Sequence, residues 1–218
     1  KEELDFTNLN KLKEYFKTNY FDLIINFAAY TSVDEAENNQ KIANEINNLA
    51  VYQLAKIAQK QRTKLIHLSS DYVFDGSISQ PYKETDKTNP INIYGITKLA
   101  AELAIKKCMP ENAIIIRTSW LYSEFGNNFV KTMLKIGKER DFINVVSDQF
   151  SSPTYAYDLA HDILLIIGNE LFYKRNIKTG IYHYSNEGVV SWYDFTKEIF
   201  KIANLKCKIN PILKDEYT

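Results

Sequence analysis

Two short segments of this chain carry side chains able to move a proton. One is Ser69-Ser70-Asp71-Tyr72, two hydroxyls, a carboxylate and a phenol in succession. The other is Tyr94-Gly95-Ile96-Thr97-Lys98, in which a phenol and an amine stand four residues apart and so share one face of a helix. Reduction of a ketone by hydride creates an alkoxide that must be protonated, and a free phenol with a pKa near ~10 is a poor donor at neutral pH. A neighbouring ammonium stabilises the phenolate and should lower that pKa. Lys98 would do this for Tyr94, while Ser70 would hydrogen-bond the carbonyl oxygen and fix its position. The spacing alone is weak, because Tyr52/Lys56 and Tyr193/Lys197 share it and chance accounts for most such pairs. Those two fit ordinary amphipathic helices; only Tyr94 follows a strand-end hydroxyl through a loop.

The elements that position these groups follow from hydrophobic periodicity. Asp22–Ala29 (DLIINFAA) and Lys64–Ser70 (KLIHLSS) read as strands buried on both faces, and Ala113–Ser119 and Ile143–Ser147 read as further strands. Strand-like Ile181–Tyr184 and Ile209–Leu213 come later. Between them run expected helices at Asn39–Arg62, Ile91–Cys108, Asn128–Arg140, Tyr155–Ile167 and Trp192–Ala203. The first carries an apolar stripe of Ile42, Ala43, Ile46, Leu49, Ala50, Leu54, Ile57 and Ala58. Asp71–Pro90, with Asp75-Gly76, Pro81 and Pro90, reads as a loop. The opening residues fit a short helix capped by Thr7.

Strands alternating with helices imply βαβ units, hence an α/β fold with a doubly wound Rossmann-type parallel sheet. In such sheets ligands lie beyond the carboxyl ends of the strands. That singles out Ala28-Ala29-Tyr30-Thr31, Ser69-Ser70-Asp71-Tyr72 and Arg117-Thr118-Ser119-Trp120. Each has a plainer reading: Tyr30 and Thr31 as helix caps, Asp71 as a turn former, Trp120 as a core aromatic. His67, His161 and His183 show no partner pattern and read as structural.

Composition narrows the class. The chain has 218 residues, 27 Lys plus Arg against 27 Asp plus Glu, and a formal net charge of zero, so no global field draws it to nucleic acid or an anionic membrane. Cys108 and Cys207 are too few for a disulfide framework and stand in no metal-ligand spacing, which makes a reducing cytoplasm the expected location and no metal the expectation. The longest apolar run, Ile163–Ile167, is far short of the ~20 residues that span a bilayer.

The set NFAAYTSVDEAE, INNLAV, HLSSDYVFDG, NPINIYGITKLAAE, IIRTSWLY, GNNFVKTM and SDQFSSPTYAYDLA resembles the extended short-chain dehydrogenase/reductase superfamily, and within it the dTDP-4-dehydrorhamnose reductase family. The serine–tyrosine–lysine trio marks the superfamily; DYVFDG, RTSW and SPTYA together are more specific. The resemblance implies NADPH- or NADH-dependent reduction of the 4-keto group of dTDP-4-dehydro-L-rhamnose, the last step toward dTDP-L-rhamnose for cell-surface polysaccharide. It implies Tyr94 as proton donor, Lys98 as its partner on the nicotinamide ribose, and Ser70, where the family usually has threonine, as the third catalytic group. Ser70, Asp71 and Trp120 would meet the sugar. Ala29, Tyr30, Thr31 and Leu68 would line the cofactor, and Asp5-Phe6 would border the adenine. Residues 1–120 are then expected to be a dinucleotide-binding domain, and 121–218 to complete the sheet and form a smaller substrate-binding subdomain. A nucleotide sugar is the expected partner, and a homodimer is compatible with the resemblance.

The chain departs from the family at its start. The family opens with a strand and a Gly-x-x-Gly-x-x-Gly turn that holds the pyrophosphate, whereas the first glycine here is Gly76. The chain begins at Lys1, and its only methionines are Met109 and Met133. The expectation is a longer polypeptide whose first strand and glycine loop lie outside this chain, together with the residues that choose NADPH over NADH. Two rival readings share the fold: another nucleotide-sugar reductase or epimerase, and a non-catalytic regulatory subunit of the methionine adenosyltransferase type.

Overall fold

The computed structural model of the protein describes residues 4–168 and 179–217. They fold as two compact units, the first built from residues 4–118 and 179–183, the second from 119–168 and 184–217. The first unit is organised on a four-stranded sheet in the order β1 (Leu23–Asn26), β2 (Lys64–Ser70), β3 (Ala113–Thr118), β8 (Gly180–Tyr184). The strands β1, β2 and β3 are parallel, with Asn26 opposite His67 and Ser70 opposite Thr118. Residues 180–183, placed by the sequence split in the second part of the chain, therefore belong to the first unit, because β8 lies beside β3.

The apolar runs are strands for the reason their pattern suggests. Side chains alternate between faces, and both faces are covered. On one face Leu65, Ala113 and Ile115 join Leu12 and Phe16 of α1 (Leu9–Thr18), Val51, Leu54 and Ala58 of α4 (Ala50–Gln61), and Ala101 and Ile105 of α5 (Ile93–Cys108) in a single core. On the other, Ile66, Ile114 and Ile116 are also buried. Each such side chain contributes about 1.5–3 kcal/mol of hydrophobic stabilisation.

Local chemistry shifts three boundaries. The first helix is capped by Asn8, whose side chain accepts from Lys11 N at 3.0 Å, while Thr7 instead donates to the Asp5 carboxylate. A short helix, α2 (Val33–Asn38), precedes the long one; Ser32, and not Tyr30 or Thr31, stands at its N-cap position, without a side-chain capping bond. The helix expected over Asn39–Arg62 is divided: α3 (Gln40–Asn44) passes through a π-helical turn, Glu45–Leu49, into α4. A π turn adds a residue to the repeat, so the stripe loses phase. Ile42 and Leu49 point to solvent at 42% and 39% exposure, and Asn47 is fully buried in their place.

In the second unit, β5 (Phe142–Val146) and β10 (Lys208–Ile212) pair in parallel as a separate two-stranded sheet. The pairs β4 (Leu121–Tyr122) with β7 (Thr154–Tyr155) and β6 (Phe150–Ser151) with β9 (Val190–Ser191) are too short to show as periodicity. The core here is Ile143, Val145, Ile199, Phe200 and Cys207, packed against α6 (Phe129–Glu139) and α8 (Trp192–Ile202). The unit also contains α7 (Ala156–Gly168). Among the described residues no helix is long and apolar enough to cross a membrane.

One glycine sets how α5 meets the sheet. Asn92 caps α5 by accepting from Gly95 N at 2.7 Å, and a methyl group on Gly95 would collide with the backbone carbonyl of Tyr72. Backbone cannot yield as a side-chain tip can. Gly95→Ala is therefore expected to lower unfolding stability by about 1–3 kcal/mol, as overpacking does, measurable as a shift in denaturant midpoint at unchanged slope.

Candidate active site

The carboxyl end of β2 and the first turns of α5 bring the expected trio together. Ser70 ends β2 and caps a short 3-10 turn, Asp71–Val73, accepting from Tyr72 N at 3.3 Å and donating to Asp71 Oδ1 at 2.9 Å. The Ser70 hydroxyl lies near enough to the Tyr94 hydroxyl to influence its proton affinity. The Tyr94 ring is half-buried and meets Tyr72 edge to face at 5.6 Å between centroids. One helical turn on, Lys98 is 2% exposed and its Nζ donates to the Leu68 carbonyl at 2.5 Å. The two other Tyr/Lys pairs are surface features: Lys56 and Lys197 each lie over their own tyrosine ring, 5.2 Å from the centroid.

The electrostatics of Tyr94 run opposite to the expectation from its lysine. Burial pushes the Tyr94 phenol up to about 12; the nearby Ser70 hydroxyl opposes this, and the neighbouring Asp71 and Tyr72 add to it. Lys98 is pressed down to about 8 by burial, against the attraction of Glu102. The reason is geometric: the Lys98 ammonium is turned to the strand carbonyl of Leu68. Near neutral pH Tyr94 holds its proton and Lys98 its charge.

The segment after β1 is held by two asparagines that the sequence reading passed over. Asn26 Oδ1 accepts from Ala28 N at 3.1 Å, and its amide pairs with His67 Nδ1 at 3.0 Å. His67 is fully buried, and burial, with Lys98 nearby, holds it well below its ordinary pKa, so it stays neutral. Asn47, turned inward by the π turn, accepts from Tyr30 N at 2.8 Å and donates to Tyr30 O at 3.1 Å and Thr97 Oγ1 at 3.2 Å. Ala29, Tyr30 and Thr31 are thus tied through Asn47 to the helix of Tyr94 and Lys98. The signal available in sequence was a polar residue interrupting the stripe between Ile46 and Leu49.

Phe6 packs on the core of the first unit, and Asp5 Oδ1 accepts from Thr7 N at 2.9 Å. Trp120 belongs to the second unit. It has φ +45, a left-handed conformation uncommon outside glycine, and stacks on Trp192 at 3.3 Å between centroids. Its carbonyl accepts from Thr154 N at 3.2 Å. The loop after β2 is organised by Asp75, which accepts from Ser77 N, Tyr82 and Asn89.

The donor set suits part of a nicotinamide dinucleotide. Lys98 has three N–H donors and spends one on Leu68; with the Tyr94 hydroxyl it can bind ribose hydroxyls, and Ala28 and Ala29 allow close approach to backbone. The chain has no glycine before Gly76, so its residues fit the nicotinamide–ribose half and supply no glycine-rich pyrophosphate turn.

The family model described as "RmlD substrate binding domain" matches residues 1–218. A dTDP-4-dehydrorhamnose reductase from Aggregatibacter actinomycetemcomitans is 44% identical over 201 residues, 92% of this chain and 68% of the relative. The enzyme of the same name from Escherichia coli is 40% identical over 203 residues, covering 91% and 66%. The chain thus spans about two thirds of the length of these relatives. Among solved structures, a dTDP-4-dehydrorhamnose reductase from Bacillus anthracis, in complex with NADP, superposes with a TM-score of 0.91 at 41% identity, covering 99% of this chain and 75% of that one.

Asn47 offers a direct test of the local architecture. Asn47→Leu keeps the volume but strands the Tyr30 N–H and C=O, so it should lower stability by about 1–3 kcal/mol in equilibrium unfolding. A midpoint equal to that of the unaltered protein would show that the clamp carries no weight. By model, sequence and structure together, the chain belongs to the RmlD substrate binding domain family, that of the dTDP-4-dehydrorhamnose reductases.

Proposed function

We propose that the protein is an oxidoreductase that reduces the 4-keto group of dTDP-4-dehydro-L-rhamnose to give dTDP-L-rhamnose, with NADPH or NADH as reductant. The observation that carries this reading is the convergence of Ser70, Tyr94 and Lys98 at the end of β2 in a chain of this family. Bound cofactor supplies the hydride; everything else falls to the chain.

The Tyr94 hydroxyl and Ser70, whose proton turns from Asp71 to the substrate, hold the keto oxygen, so that charge developing on it meets two donors. Tyr94, pushed up to about 12, retains its proton until the oxygen becomes an alkoxide, a far stronger base, and then gives it up. The Lys98 ammonium offsets the phenolate that remains. Asp71, beside Ser70, orients the sugar; Trp120 is a further sugar-binding candidate by family resemblance. Ala29, Tyr30, Thr31 and Leu68 line the cofactor, with Asp5 and Phe6 at its adenine end. Dinucleotide binding is assigned to the first unit and sugar binding chiefly to the second.

The test is cofactor oxidation by the complete polypeptide carrying this chain, supplied with dTDP-4-dehydrorhamnose; absence of turnover with either cofactor sinks the reading. Tyr94→Phe should lower kcat by about 10²–10⁴-fold, the usual contribution of a positioned proton donor, while cofactor affinity is kept; a fully active variant removes Tyr94 from its role. Turnover should also fall as pH rises through about 8, where Lys98 loses its charge. A flat profile to pH 10 would detach Lys98 from the chemistry.

A further inference from the structure

The end of β2 is engaged residue by residue by α5. The Leu68 carbonyl takes the Lys98 ammonium at 2.5 Å, the Ser69 hydroxyl donates to Glu102 Oε1 at 2.5 Å, and Ser70 lies beside the Tyr94 hydroxyl. Tyr94, Lys98 and Glu102 repeat every fourth residue and so lie on one helix face. The first two belong to the reaction proposed above. Glu102 does not, yet it is 1% exposed and paired with Arg117.

A buried carboxylate stays ionised only with a partner. Arg117 on β3 supplies two parallel bonds, Nε to Oε1 at 2.9 Å and Nη2 to Oε2 at 2.7 Å. Arg117 is held in turn over the Phe74 ring at 5.0 Å, with His183 of β8 at 3.4 Å from its Nη1. His183 is anchored by Tyr82 O and Glu84. Apolar side chains of similar size would fill this space at least as stably, so stability alone does not account for an ion pair one turn behind Lys98.

We propose that Glu102 is a positioning residue for the reduction: clasped by Ser69 and Arg117, it fixes α5 in register with the end of β2, so that Tyr94 and Lys98 meet Ser70. The assignment deepens the ketoreductase reading and rests on it. It also has an electrostatic side. The groups around Lys98 are Tyr94 and Glu102 on its own helix, neutral His67 and the Leu68 carbonyl on β2, Asp71 and Tyr72 in the turn, and Arg117 on β3 behind Glu102. Among these, Glu102 is the charge that favours the ammonium against burial.

The experiment follows Glu102→Gln in the complete polypeptide with two readouts: steady-state reduction, and titration of Lys98 by NMR of 13Cε-labelled lysine, its signal identified with Lys98→Arg. We expect kcat to fall about 10²-fold, the scale of a small misplacement of reacting groups, with the KM for NADPH little changed, and Lys98 to lose its proton at lower pH. Gln leaves Arg117 buried and unpaired, so Glu102→Gln/Arg117→Met, which removes both charges, guards against simple unfolding. It should unfold cooperatively yet keep the low kcat and the displaced titration. Ser69→Ala, which leaves both charges in place, should lower kcat without moving the Lys98 titration. A folded double variant with the kcat and Lys98 titration of the unaltered protein overturns the proposal. If the unaltered protein turns over no nucleotide sugar, the ketoreductase reading fails separately, and the Lys98 titration in Glu102→Gln still decides whether Glu102 acts on Lys98.

Discussion

The close seat of α5 against the end of β2 governs the rest of the first unit. It is possible because Gly95 has no side chain where the Tyr72 carbonyl comes to rest, and because the Lys98 ammonium, carried into the interior, finds the Leu68 carbonyl there. A buried ammonium without an acceptor is costly; with one, it becomes a cross-brace between helix and strand. The seat aligns the Tyr94 hydroxyl with Ser70, and the same geometry decides that Tyr94 is pushed up and Lys98 down. The geometry of the candidate site and its proton affinities are consequences of one packing choice.

The brace extends sideways through polar groups more than through apolar ones. The π turn at Glu45–Leu49 aims Asn47 inward, where it satisfies both backbone groups of Tyr30 and touches Thr97, a neighbour of Lys98. Asn26 and His67 do the same for the residues just before Tyr30. Paired buried polar groups rigidify a site, although His67 Nε2 has no hydrogen-bond partner among the described residues. They also explain why the segment after β1 can run without regular structure and still be held in place.

Much of this was legible beforehand, and the parts that were not share a cause. The strand runs at β1, β2 and β3, the helix of Tyr94 and Lys98, and the convergence of Ser70 with that pair follow from period, length and strand-end position. Thr7 as a cap was misplaced by one residue, since Asn8 and Thr7 are both competent and only the path of the chain chooses between them. The stripe through Ile42 and Leu49 failed because one extra residue in a π turn rotates all that precedes it, and no residue type announces such a turn. The lowered phenol pKa expected for Tyr94 reversed because a Tyr/Lys spacing says that two groups share a helix face, and says nothing about which acceptor the ammonium turns to.

Sequence alone determined the class of fold, the order of its elements and the residue types that can carry hydride-linked proton transfer, since these depend on periodicity and on chemistry that neighbours in the chain already express. It also showed that this chain has no glycine-rich pyrophosphate turn before Gly76. The tertiary structure decided what depends on residues far apart in the chain: that Glu102 meets Arg117 and Ser69, that Asn47 reaches Tyr30, and that residues 180–183 return to the first unit beside β3. Contacts of that range are set by how helices pack on a sheet, and the field at Tyr94 and Lys98 is the sum of those contacts.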